Sequence, residues 1–176
     1  TEEYISSISY IHRIYEDDYA GGIASYIYRS RILREKGAFP DWPLAWFSDE
    51  AGNIMLAMEG CCITRDVTIN VRNSEINKSS KWCDHEKKKK KTIATYAFYH
   101  WMKAYMHNIR HEGCATEHLQ EVTSMYKTKV RNNIQNYIYH VRFAPFLMLF
   151  IRLPYGLGLC RLRILLHYIR VRFPHL

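Results

Sequence analysis

Apolar side chains recur at helical spacing near the start of the chain. Tyr4, Ile8, Ile11 and Tyr15 follow one another at intervals of four, three and four residues, which is typical of the buried stripe of an amphipathic helix. A second helical pattern covers about residues 23–36, with acids before it and bases toward its end, as the helix dipole favours. The sequence therefore predicts two N-terminal helices.

The period of the pattern then changes. Residues 44–47 and 54–58 are short apolar runs separated by polar residues, and residues 67–71 alternate between apolar and polar side chains. Short runs between turn-forming residues, and alternation with a period of two, are typical of strands. The sequence predicts a small antiparallel β element over about residues 44–71, inserted as a hairpin in a helix-rich core.

Two longer helical patterns follow. Apolar side chains recur every four residues from Ile93 to Ile109, and a series with coiled-coil-like spacing begins after Thr116, a residue suited to capping a helix. The second series predicts one long helix over about residues 116–142. The expected fold is mainly α and bundle-like with a small β element, and α+β is the alternative.

The end of the chain combines apolar residues with arginine. The longest uncharged apolar run, residues 143–151, is too short to span a bilayer, and a longer span would bury Arg152 near its centre at a cost of about 2.5–3.5 kcal/mol. A segment at the membrane interface, whose arginines reach toward water, fits this composition better. We therefore divide the chain into a core, residues 1–142, and a docking or membrane-interface segment, residues 143–176.

The net charge of +8 is distributed unevenly along the chain. Residues 1–60 carry a net charge of −5 and residues 61–121 carry +4, whereas residues 122–176 contain nine Lys and Arg and no Asp or Glu. A solvated surface normally mixes both signs. A long segment that is basic, apolar and free of carboxylates therefore indicates an interface with an anionic partner.

One group of metal-ligating residues has helical spacing. His107 and His111 are four residues apart, so both imidazoles project from the same side of a helix, and Cys114 or His118 could complete a zinc site. The His-Glu-x-x-His order of metalloproteases is absent, and nine histidines produce such spacings by chance. We expect no cofactor, with zinc at this group as the alternative.

The cysteines give little support for a second metal site. Cys61, Cys62, Cys83 and His85 lack the paired two-residue spacing of a zinc ribbon. The five cysteines are odd in number and irregularly spaced, which favours reduced thiols over a disulfide framework. We therefore expect an intracellular protein, with an organellar, membrane-associated location as one form of this.

Dispersed basic residues offer a nucleic-acid alternative. Phosphate contacts need only Lys and Arg, and exposed aromatic rings can stack on bases. The lysine run by itself is more typical of a solvated loop, and the C-terminal arginines are interleaved with Leu, Ile and Phe. The candidate contacts are Lys78, Lys81, Lys87, Lys88, Lys89, Lys90, Lys91, Lys127, Lys129 and Arg131.

The sequence has no recognisable catalytic motif, neither a Gly-rich phosphate loop nor a Gly-x-Ser-x-Gly elbow. We therefore expect a non-enzymatic subunit of a larger assembly that docks on other protein subunits or on an anionic membrane surface. An RNA-binding subunit of a ribonucleoprotein is the alternative, and a His-rich helical metalloprotein is a third hypothesis. The residues expected to carry the docking are Phe146, Leu149, Phe150, Leu162, Leu165 and Ile169, together with Arg152, Arg161, Arg163, Arg170 and Arg172.

Overall fold

The computed structural model describes residues 2–16, 25–64, 85–111, 116–153, 157 and 161–172. Within these ranges the chain forms seven α-helices and one two-stranded antiparallel sheet, so the predicted mainly α fold with a small β element is confirmed. In chain order the elements are β1 (Glu2–Ile5), α1 (Ser7–Tyr15), α2 (Ser30–Glu35), α3 (Ser48–Leu56), β2 (Cys61–Thr64), α4 (His85–His111), α5 (Thr116–Ile138), α6 (Phe143–Ile151) and α7 (Arg161–Arg172).

The β element differs in position from the predicted hairpin. β1 pairs with β2, and Ile5 lies opposite Cys61, so the sheet joins the start of the chain to its middle. The strands predicted over residues 44–47 and 54–58 are wrong, because α3 and two flanking 3₁₀ turns occupy residues 43–59 apart from 46 and 47. The strand predicted over residues 67–71 lies outside the described residues.

Residues 48–56 form a helix for physical reasons that the short apolar runs do not indicate. A short apolar run fits a buried helix as well as a strand, and Asp49 and Glu50 lie in the first turn of α3, where the helix dipole favours acids. Gly52 adds a packing reason. A Cβ at that position would lie 2.0 Å from a ring carbon of Phe39, so glycine permits this close approach.

The two N-terminal helices are shorter than predicted. α1 begins only at Ser7, because the Ser6 hydroxyl caps it by accepting a hydrogen bond from the Ser9 amide at 3.2 Å. Ile8 and Ile11 are buried, as their spacing predicts, whereas Tyr4 lies in β1 and is exposed. Of the helix predicted over residues 23–36, only α2 is α-helical among the described residues.

α4 and α5 form the centre of the fold. The predicted long helix is confirmed in α5, which ends at Ile138, four residues before the predicted end. Its residues Val122, Tyr126, Val130 and Ile134 recur every four positions and are buried. α4 packs along α5, and α1 packs on α5 as well.

α4 begins earlier than the apolar pattern indicates. The lysine run at residues 87–91, expected as a solvated loop, forms the first turns of this helix. Lysine is a good helix former, and Glu86 in the first turn complements the helix dipole. The correction matters for function because a helix fixes the direction of each of these side chains.

α6 and α7 share the apolar core of the preceding helices. The rings of Phe146 and Tyr168 stack with their centroids 3.6 Å apart. The Tyr168 hydroxyl donates to the Val141 carbonyl at 3.0 Å, and the Tyr96 hydroxyl of α4 donates to the Leu149 carbonyl at 2.9 Å. These contacts fix one side of each C-terminal helix against the body of the protein.

Candidate docking surface

α6 has no polar side chain, so its sequence alone gives it no solvent face. Its nine residues read FAPFLMLFI, and Pro145 lies in the first turn, where a missing N–H breaks no helical hydrogen bond. Phe146 and Leu149 point into the core and are buried. A helix that is apolar on every side is normally buried on every side, but α6 is not.

The side of α6 away from the core is exposed. Phe143, Leu147 and Ile151 recur every four residues and form one stripe, with Met148 beside it. All four are well exposed: Phe143 at 55%, Leu147 at 44%, Ile151 at 65% and Met148 at 48%. We call these four residues the outer face of α6. Contiguous exposed apolar surface of this kind normally marks an interface.

α7 also has an exposed apolar stripe. Ile164 and Tyr168 are buried, whereas Leu162 and Leu166, one turn apart, are 63% and 57% exposed. The ring of Tyr168 lies beside that of Phe143, with 6.4 Å between centroids, so α7 borders the outer face of α6. A shallow groove of about 340 Å³ on α7 is lined by Leu162, Arg163, Leu166, His167 and Arg170.

The arginines around these stripes keep their charge toward solvent. Arg142 and Arg152 flank α6, and Arg163 and Arg170 lie on α7; all four are exposed. In the described part of the chain no ion pair includes any of these four. Arg161 differs, because its guanidinium donates to the Leu153 carbonyl at 3.2 Å. The surface is therefore apolar and basic at once.

The predicted docking residues divide between core and surface. Phe146 and Leu149 were predicted to be docking anchors, and this has to be corrected. Both side chains are buried in the chain's own core and present nothing to a partner. Phe150, Leu165 and Ile169 are half-buried at the edge of the core. Of the six predicted apolar anchors, only Leu162 is largely exposed, and the Arg172 side chain lies outside the described residues.

The outer face of α6 was missed by sequence reasoning. All nine residues of α6 are apolar, so no polar side chain indicates which side turns toward solvent. The four-residue spacing of Phe143, Leu147 and Ile151 groups them on one stripe, away from Phe146 and Leu149. That spacing was readable from the sequence, but which stripe is exposed depends on packing against α4 and α7.

Two of the predicted nucleic-acid contacts have structural roles instead. Lys91 is only 7% exposed, and its ammonium lies 3.9 Å from the centroid of the Trp46 ring and 5.3 Å from that of Tyr137. Burial, with repulsion from neighbouring lysines, lowers the pKa of Lys91. Lys129 pairs with Glu50 at 2.8 Å. Both ammonium groups therefore have partners within the fold.

The other predicted nucleic-acid contacts remain at or near the surface, or cannot be placed. Lys90 is exposed, and five further cations are half-buried. Lys78 and Lys81 lie outside the described residues. The half-buried cations are Lys87, Lys88, Lys89, Lys127 and Arg131.

The zinc hypothesis falls mostly outside the described part of the chain. His107 is exposed on α4, but the side chains of His111 and His118 and the whole of Cys114 are not described. Among the described residues, no group of three or more His, Cys, Asp and Glu side chains is arranged to hold a metal ion. The group therefore stays a prediction.

The second cysteine group is only partly described. Cys61 is a half-buried free thiol and Cys62 an exposed one, whereas Cys83 lies outside the described ranges. Burial raises the pKa of Cys61 to about 11, so this thiol stays protonated near neutral pH. The Nδ1 of His85 donates a hydrogen bond to the His140 carbonyl.

In the ranges that the structure describes, every helix falls short of the length or the apolar composition that crossing a bilayer requires.

Comparison with protein-family models, with curated proteins and with solved structures finds no match to this chain.

Proposed function

We propose that the protein is a non-enzymatic subunit of a larger assembly, and that it docks through the outer face of α6 and the neighbouring exposed stripe of α7. One observation supports this proposal above the others. A helix without a single polar side chain keeps four large apolar side chains in contact with water, although Phe146 and Leu149 on its other side are buried.

Covering the exposed apolar side chains contributes part of the free energy of docking. Burying a large aliphatic or aromatic side chain completely contributes roughly 1.5–3 kcal/mol. The four side chains of the outer face are about half exposed, so covering them contributes about 4 kcal/mol before the entropic cost of association. The exposed arginines add attraction toward an anionic partner.

The test compares substitutions of the same chemistry at two exposed sites. Leu147→Ser/Ile151→Ser removes apolar surface from the outer face, and Ile27→Ser removes a fully exposed isoleucine far along the chain from it. Each full-length variant is tagged, produced in the cells that make the protein, and sedimented through a density gradient after gentle lysis.

The proposal predicts that the wild type and Ile27→Ser sediment far ahead of a free 21.0 kDa chain. The double variant should move to the position of the free chain, because it retains the fold but loses its anchors. A wild type that sediments as the free chain, or a double variant that stays in the heavy fractions, would contradict the proposal.

A further inference from the structure

We propose that the partner of this surface is an anionic lipid bilayer, on which α6 lies flat with its outer face at the boundary between head groups and acyl chains. The inference rests on the proposed docking function and names its partner. Three properties of the surface support it: its lack of hydrogen-bonding groups, the positions of its arginines, and the length of its helices.

The outer face of α6 contains no side-chain donor or acceptor. Protein interfaces usually include about one hydrogen bond per 100–200 Å² and a polar rim that sets their register. Within the face, the exposed stripes Phe143-Leu147-Ile151 and Ala144-Met148 provide no side-chain hydrogen bond. Acyl chains form no hydrogen bonds and require no register, so they match a surface that is uniformly apolar.

The arginines at the two ends of α6 are placed to contact lipid phosphate groups. Arg142 and Arg152 are the two residues that cap α6, about 15 Å apart along the helix axis. A helix that lies in the interface has its apolar side in the acyl boundary, while long cationic side chains reach outward to the head groups. Guanidinium groups also bind phosphate through paired hydrogen bonds.

α7 extends the same chemistry next to α6. Leu162 and Leu166 form the apolar part of its groove, and Arg163 and Arg170 line it as cations. No carboxylate occurs between residues 122 and 176 to repel an anionic head group. Charge complementarity is therefore continuous from one helix to the other.

The length of α6 favours a position on the membrane surface over one across the bilayer. α6 has nine residues and is about 14 Å long, whereas the hydrocarbon core of a bilayer is about 30 Å thick. Its other side is held by Phe146 and Leu149 in the protein core. The geometry fits a peripheral attachment that uses one side of the helix.

Vesicle flotation of the purified full-length protein tests the inference. The probes are vesicles of phosphatidylcholine alone and vesicles of phosphatidylcholine mixed with phosphatidylserine. We expect the protein to float with the mixed vesicles at low salt, and its bound fraction to fall both on neutral vesicles and at high salt, because anionic lipid supplies part of the attraction.

Variants separate the apolar and the charged contributions. Leu147→Ser/Ile151→Ser should lower partitioning into the mixed vesicles at least about tenfold. Arg152→Gln and Arg163→Gln should each lower it about fivefold, as expected for one cation near an anionic surface. Ile27→Ser should leave it unchanged, and circular dichroism with thermal unfolding should show that every variant is folded.

The outcomes distinguish this inference from the docking function. No flotation with either vesicle, combined with gradient sedimentation that still depends on the outer face, overturns the lipid inference alone and indicates a protein partner. Heavy fractions that disperse on nuclease treatment indicate RNA, and a purified dimer that the double variant dissociates indicates a second copy; either also overturns it. No flotation and no dependence on the outer face in the gradient overturn both proposals.

Discussion

Lys91 shows how one position in a charged run can be structural while its neighbour is not. Its ammonium lies over the Trp46 ring and its side chain is buried, whereas Lys90 on the same turn is exposed. A run of five identical residues gives no signal for this difference. The helix supplies it, because successive residues point about 100° apart around the axis.

Substituting these two lysines should have opposite consequences. Lys91→Ala should lower the free energy of unfolding by about 2 kcal/mol, because the packed stem and the contact of the ammonium with the rings of Trp46 and Tyr137 are lost. Lys90→Ala, the matched control, should change it by less than about 0.5 kcal/mol. Urea unfolding measures both, and equal effects would contradict the structural role of Lys91.

Buried tyrosines predict a loss of stability at high pH. Burial raises the pKa of Tyr126 and of Tyr137 to about 12, from an ordinary value of 10.0. Between these values the unfolded chain releases phenolic protons that the folded chain retains, so the free energy of unfolding falls as pH rises above 10.0.

The measurement is chemical unfolding as a function of pH, with tyrosinate absorbance recorded in parallel. Tyr126→Phe should flatten the decline above pH 10.0 while it leaves the neutral-pH fold unchanged. A decline of the same steepness in this variant would show that Tyr126 ionises as readily in the folded chain as in the unfolded one.

At the scale of single elements, α6 separates what the sequence can predict from what it cannot. Its apolar character follows from residues 143–151, and the helix at 116–138 follows from its periodic pattern. Which side of α6 is buried does not follow, because the choice depends on Tyr96 and Tyr168 from distant parts of the chain. The strands predicted over residues 44–58 failed for a related reason, since short apolar runs fit either a helix or a strand.

Adjacent residues of α6 provide a direct check of that orientation. Phe146→Ala should lower the free energy of unfolding by about 3–5 kcal/mol, because it removes a buried ring that stacks on Tyr168. Leu147→Ala, one residue further, should change it by less than about 0.5 kcal/mol. Denaturant unfolding of both variants measures this. A larger effect at Leu147 than at Phe146 would show that the Leu147 side of α6, and not the Phe146 side, packs in the core.

At the scale of the whole molecule, the C-terminal helices serve both the core and the surface. Phe146, Leu149, Ile164 and Tyr168 belong to the same buried cluster as the residues of α4 and α5. The exposed apolar and arginine side chains therefore lie on helices that also complete the core. A surface of this kind is best tested by point substitutions.

Removing the segment should therefore damage the fold itself. A chain that ends at residue 142 exposes the apolar surface that α6 and α7 cover, and the hydroxyl of Tyr96 loses its acceptor on Leu149. We expect a lower midpoint of thermal unfolding and binding of a hydrophobic dye by the truncated chain. A truncation as stable as the full chain would show that residues 143–176 add nothing to the core.

The most direct measurement of the central claim asks whether the outer face of α6 is covered in the cell. A photo-crosslinking amino acid is placed at Ile151, which is 65% exposed, and in a second variant at Ile27, which is fully exposed but lies outside the docking surface. The account predicts that irradiation of intact cells attaches lipid or another protein at position 151 and little at position 27. Equal adduct formation at the two positions, or none at position 151, would contradict it.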